Sequence, residues 1–232
     1  MDSILLLEQG LNGLQFGLML FLLAAGLTLV FGIMDMINLA HGSLYMVGAY
    51  LAAAVSMATG SYWLAVLVAM AGTAVIGVLL EVTLLRRLYA RDHLHQVLAT
   101  FALILMANEG VRMIWGPTAL ALDPPPSLAG PVELLPDFGY PAFRLAIIAV
   151  GLVVALLLYV LVSHTRLGML VRAGASNREM ARVMGVRVNL VFTIVFAIGA
   201  ALCALAGAML GPLFAVQVGM GESILILAFV VI

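Results

Sequence analysis

The chain is 232 residues long, 65% hydrophobic and only 9% charged, with a formal net charge of -1 and a mean hydropathy of +1.23. A soluble domain carries about 25% charged residues, so this composition excludes that class and points to a polytopic protein of the lipid bilayer. All ten basic residues are arginine, so no lysine is present to hold nucleotide phosphates as in a P-loop, and nothing points to nucleic acid as a partner.

A helix needs about 20 apolar residues to cross a hydrocarbon core of about 30 Å. Six runs meet that length, at Leu11 to Ile33, Ile37 to Met57, Tyr62 to Leu85, Val97 to Trp115, Ala142 to Val162 and Leu190 to Leu210. A seventh begins near Ser223 and reaches only to Ile232, so the expected fold is an all-α transmembrane bundle, one domain over 1–232, with six full spans and a seventh cut short. The first run follows Asp2 and Glu8 with no basic residue, unlike a cleaved signal peptide, and reads as a retained span.

Between the first two runs lies Gly32-Ile33-Met34-Asp35-Met36-Ile37-Asn38-Leu39-Ala40-His41-Gly42-Ser43. A carboxylate, an amide, an imidazole and a hydroxyl at membrane depth are costly unless they pair or line a cavity. The glycines at 32, 42 and 48 would permit a broken helix whose free backbone groups bind ammonium and carboxylate. The same residues read equally as a polar connector at the membrane surface.

Arg86, Arg87 and Arg91 occupy one gap between runs and Arg166, Arg172, Arg178, Arg182 and Arg187 another, so loops 86–96 and 164–189 are expected in the cytoplasm. His93 and His95 in the first of these read as solvated rather than metal-bound, and no metal ligands are assigned. On the fourth run Glu109 and Arg112 stand at the i, i+3 spacing of a helix-surface pair, beside Asn108. The 116–141 segment carries Asp123, Glu133, Asp137 and Pro124-Pro125-Pro126, and should form an ordered or extended extracytoplasmic loop. Counting spans back from it places the N-terminus outside.

In the second arginine-rich loop, Arg178 to Gly185 reads as a short amphipathic helix with Asn177 as N-cap, Glu179 in the first turn, Arg182 near the end and Gly185 as the stop. Such a helix lies in the membrane interface or docks into a groove of a partner, unless the loop is basic only because it faces the cytoplasm. In the last runs Ala200/Ala204/Ala208 and Gly207/Gly211, like Gly13/Gly17 earlier, have the small-residue spacing that lets helix backbones approach closely. The single cysteine, Cys203, reads as a core residue, and Glu222 as an interfacial one. No His-Glu-x-x-His or Gly-x-Ser-x-Gly motif is present, so no catalytic residues are assigned and the chain does not read as an enzyme.

Gly26-Leu27-Thr28-Leu29-Val30-Phe31-Gly32, followed by Ile37 to Tyr50 with its Asn38-Leu39-Ala40-His41-Gly42-Ser43 core, closely resembles the permease subunits of branched-chain amino acid ABC importers, the LivH type. Arg172 to Gly185 resembles the loop by which that family engages its ATPases. The resemblance implies a multi-pass subunit of the bacterial inner membrane that pairs with a second permease, two cytoplasmic ATP-binding subunits and an extracytoplasmic binding protein. It implies no cofactor in this chain, since ATP is used by the partners. It further implies a substrate pathway at Asp35, Asn38, His41, Gly42 and Ser43, and ATPase coupling through Arg178, Glu179, Ala181, Arg182 and Gly185. Related permeases carrying a similar segment make urea or a short amide the alternative substrate, and a passive channel or scaffold is a further alternative.

Overall fold

A computed structural model describes residues 2–34, 36, 38–89, 91–135 and 138–231. Six helices among them are long and apolar enough to cross a membrane, spanning Ile4–Gly32, His41–Thr59, Tyr62–Leu88, His93–Trp115, Ala142–His164 and Val188–Phe214. They belong to α1 (Asp2–Met34), α2 (His41–Thr59), α3 (Tyr62–Leu80), α5 (His93–Trp115), α6 (Ala142–His164) and α9 (Val188–Phe214). A π-helical turn at Glu81–Leu85 carries α3 into the short α4 (Arg86–Leu88). The shorter α7 (Arg166–Ser176) and α8 (Arg178–Val183) precede α9, and α10 (Met220–Val231) follows it.

The helices alternate in direction, so the bundle has two unlike ends. One gathers Met34, Tyr89, α7, α8 and Phe192. It is the end of the two arginine clusters. At the other, Phe16 meets Phe214 with ring centroids 6.5 Å apart, Tyr62 donates to the Ala208 carbonyl at 3.0 Å, and Tyr140 donates to Asn12 Oδ1 at 2.9 Å. That end carries the 116–141 segment, which is not wholly irregular: β1 (Pro131–Leu135) and β2 (Phe138–Pro141) pair antiparallel into a hairpin.

The core is the crossing of α9 with α1, α2 and α3, where Phe192, Phe196, Ala200, Cys203, Ala204 and Ala208 are all buried. Small residues make this possible. A Cβ on Gly48 would overlap Ala204, one on Gly207 would overlap the Tyr45 carbonyl, and one on Gly77 would stand 2.7 Å from Ala200 Cβ. In lipid no hydrophobic effect drives helices together, so such backbone-close packing is what binds them. Gly13 and Gly17 have open space around them on an exposed face of α1, so their spacing marks no contact among the described residues. Leucines and valines of α3, α5 and α6 remain exposed, such as Leu67, Leu98 and Leu156, as expected where the neighbour is acyl chain.

Candidate substrate path and coupling helix

Two helices start inside the bundle rather than at its surface. The sequence suggests a span from Ile37; the helix begins at His41, after a turn in which Asn38 Oδ1 accepts the Ala40 N–H at 3.1 Å. Ile37 and Asp35 lie outside the described residues. The position of His41 along its neighbours fixes its level. A Cβ on Gly26 would stand 3.1 Å from His41 Nε2, and one on Gly199 would stand 3.3 Å from His41 Cε1. Gly26 is about 12 Å of helical rise above the end of α1, and Gly199 about 16 Å above the start of α9. The imidazole is therefore sandwiched between two glycine backbones well inside the apolar layer.

The second internal start is α10. After α9 the chain turns back through Ala215 (φ 57°) and Gly219 (φ 85°), pinned by Leu120, whose N–H and carbonyl pair with those of Val216 at 2.8 and 2.9 Å. It then enters α10 beside the first turn of α2. The Gly219 N–H reaches Met46 Sδ at 3.4 Å, and Gly42 and Gly221 pack so closely that a Cβ on either would overlap the carbonyl of the other. Two helix N-termini, each the positive end of a dipole, thus converge at depth, with turn bonds from the His41 and Ser43 N–H groups to the Asn38 and Ala40 carbonyls and from the Met220 and Glu222 N–H groups to those of Gln217 and Gly219.

The polar residues gathered there are Asn38, His41 and Ser43, all buried. Asn38 Nδ2 and both ring nitrogens of His41 have no hydrogen-bond partner among the described residues. Two cavities flank the turn. One of about 310 Å³ lies between α2, α3 and α5, with Ala40 and Ser43 on an otherwise apolar wall of Leu44, Leu80, Leu103 and Trp115. The other, about 280 Å³, lies between α1, α2 and α10, and is lined by Phe16, Tyr45, Gln217, Met220 and Ser223. Both are at the lower end of volumes that hold small ligands, about 300 Å³.

At the arginine-rich end the short helix forms as its sequence suggests. Asn177 Oδ1 accepts the Met180 N–H at 2.9 Å, and Gly185, at φ 85°, closes the helix as its N–H reaches the Arg182 carbonyl and the Val186 N–H reaches that of Ala181, both at 3.0 Å. That pair of bonds is a Schellman motif, which requires the left-handed conformation that glycine adopts freely. Ala181 turns inward and is buried, whereas Glu179, Met180, Arg182, Val183 and Met184 are exposed. Arg178 stacks over the Phe192 ring of α9, with 5.4 Å from its guanidinium carbon to the ring centroid.

One cluster escaped the sequence reading. Glu81 is fully buried in the π-turn, and its two oxygens receive four bonds: Arg86 Nε at 3.2 Å and Tyr89 Oη at 2.9 Å on Oε1, Arg86 Nη2 at 3.0 Å and Thr193 Oγ1 at 2.8 Å on Oε2. In a regular α-helix a residue five positions on points about 140° away; the wider turn brings Arg86 back over Glu81. The available signal was a lone acid near the end of an apolar run, five residues before an arginine.

Other polar groups pair within a helix turn or across helices. Glu109 and Arg112 pair at 3.4 Å as their spacing suggests, and Asn108 donates to Glu222 Oε1. His95 contacts Asp92, and no group of three or more His, Cys, Asp or Glu able to hold a metal occurs among the described residues.

Comparison with known proteins gives the family. The family model for the branched-chain amino acid transport system permease component matches residues 10–232. The chain belongs to this family. It is 30% identical over 225 residues to the high-affinity branched-chain amino acid transport system permease protein LivH of Escherichia coli K12 and of Salmonella typhimurium, covering 90% of this chain and 72% of each relative. It is 29% identical over 230 residues to the corresponding protein BraD of Pseudomonas aeruginosa, with the same coverage. No solved structure matches the chain. Membership and the six long apolar helices make it a multi-pass membrane permease component.

Proposed function

We propose that the chain is the membrane-spanning permease subunit of an ABC importer for branched-chain amino acids in the bacterial inner membrane. The observation that carries this reading is the family match over residues 10–232, which takes in both the internal start of α2 and the α8 loop. The eight arginines of the two clusters support a cytoplasmic location for their end of the bundle, with the hairpin outside. The chain works with a second permease subunit, two cytoplasmic ATP-binding subunits and an extracytoplasmic binding protein. It performs no covalent chemistry and holds no cofactor, since ATP is bound and hydrolysed by the partners.

The substrate route passes the first turn of α2. An amino acid has two charged ends and, for leucine or valine, a branched apolar tail. The positive dipole ends of α2 and α10 favour a carboxylate, and Asn38 Nδ2 and the His41 ring add polar atoms that the described protein residues leave unengaged. The apolar wall next to Ser43 accommodates the tail. A path of weak polar contacts serves a transporter, because the substrate must also leave.

Motion reaches this path from α8. The exposed Met180, Val183 and Met184 form an apolar ridge among the charges of Glu179 and Arg182, suited to a groove on an ATP-binding subunit. Closure of the ATPase pair pushes α8 as a rigid body, and the helices packed on it reorient. Reconstitution with the ATPases, the second permease and the binding protein tests the reading: ATP-dependent uptake of labelled leucine supports it, stimulation by urea alone replaces the substrate, and ATP-independent flux overturns it.

A further inference from the structure

Resting on that reading, we propose that the Glu81 cluster is the joint through which α8 acts on the substrate path, and that Glu81 and Tyr89 are positioning residues for transport.

Three elements meet at this carboxylate. Thr193 brings α9, Arg86 brings α4, and Tyr89 brings the chain just beyond it. Phe192, next to Thr193, holds Arg178 of α8 against its ring and packs edge-on against Tyr89, with ring centroids 5.4 Å apart. The Tyr89 hydroxyl donates to Glu81 and also lies 3.4 Å from Met34 Sδ. Met34 is the last residue of α1, and the short connection 35–40 leads from it to His41. A displacement of α8 is therefore passed through Phe192 and Tyr89 to the end of α1, which precedes the first turn of α2 in the chain.

The bonding explains why the joint transmits rather than absorbs that displacement. A carboxylate offers about four acceptor sites, and all of those of Glu81 are taken. Glu81 itself is fully buried although Arg86 reaches the surface, so moving a partner away leaves a buried carboxylate short of a bond, and the cluster moves together. The π-turn supplies the geometry, and such turns are commonly placed where helices serve function.

A structural role for Glu81 predicts that apolar residues of similar size substitute well, because buried ion pairs are often replaceable without loss of stability. A positioning role predicts that they do not restore coupling. The test uses the whole complex in proteoliposomes and measures leucine imported per ATP hydrolysed, together with the melting temperature. Tyr89→Phe keeps the ring on Phe192 and the Glu81–Arg86 pair but removes the hydroxyl; we expect an assembled complex whose import per ATP falls at least threefold. The double variant Glu81→Met with Arg86→Leu is expected to melt within a few degrees of the wild type yet lose at least tenfold in import per ATP. If both variants stay within twofold of the wild type, the joint is structural only and the proposal is overturned; if the double variant does not assemble, Tyr89→Phe decides alone. A wild-type complex that imports nothing with ATP would instead overturn the function on which the proposal rests.

Discussion

Around Glu81 every oxygen of a buried carboxylate is engaged, whereas around His41, deeper in the same bundle, two ring nitrogens and the neighbouring Asn38 Nδ2 have no partner among the described residues. The same chain thus meets one buried polar group with four bonds and leaves another in contact with glycine backbones. An unsatisfied buried donor or acceptor costs about 1–3 kcal/mol, so the second arrangement is not the one that stability alone would favour. The difference separates two tasks. On the proposed reading, a joint that passes on motion needs its contacts complete, and a surface that greets a substrate needs some of them open.

The largest effect comes from breaking the packing on which both clusters depend. Gly207→Leu forces a side chain into the Tyr45 carbonyl where α9 crosses α2, a contact of two backbones that cannot give way as a flexible side chain would. We expect a loss of about 3 kcal/mol or more, seen as a lower melting temperature or loss of monodisperse protein in detergent. Gly17→Leu, on the open face of α1, should leave the melting curve unchanged.

The comparison is sharpened at His41 itself. Replacing it by alanine removes packed atoms but also two nitrogens without partners, and these contributions oppose each other. Stability should stay within about 1 kcal/mol of the wild type. Leucine uptake by the reconstituted complex should fall at least tenfold, about 1.4 kcal/mol per tenfold step in the barrier. A stable variant with normal uptake would remove His41 from the substrate path.

The two regions were also unequally legible in the sequence. Apolar run length gave the six spans, because the bilayer imposes one length on all of them, and arginine placement distinguished the two ends. The α8 helix was legible down to its caps, since Asn177 and Gly185 act through their own backbone neighbours. The internal start of α2 was half legible: the glycines at 32, 42 and 48 permitted a broken helix, but hydrophobicity continues through Met36 and Leu39, and the depth of the His41 start shows only in its packing against Gly26 and Gly199. The return of the chain before α10 was hidden for the same reason, as its anchor, Leu120, lies far away in sequence. Glu81 was missed because the partners that make it a cluster include Thr193, on another helix, and because the π-turn that aligns Arg86 with it has no sequence signature of its own.

The smallest expected effect tests whether the shape of α8 matters to the joint as much as its contacts do. Asn177 makes one side-chain bond, to the Met180 N–H, at the break between α7 and α8. Losing an N-cap costs about 1 kcal/mol, and in a helix of six residues that cost is not shared with a long hydrogen-bonded ladder. Asn177→Ala should therefore fray the first turn, which holds Arg178 over Phe192, while the long helices remain as they are. Hydrogen exchange of the Met180 amide should rise, the global melting temperature should move little, and import per ATP should fall by about two- to fivefold, consistent with about 0.4–1 kcal/mol of lost coupling. Asn177→Asp keeps the acceptor and places a negative charge at a helix N-terminus, so it should restore both exchange protection and coupling. If alanine and aspartate behave alike, the first turn of α8 transmits nothing through its cap, and the route to Glu81 must start from the buried Ala181 side of the helix instead.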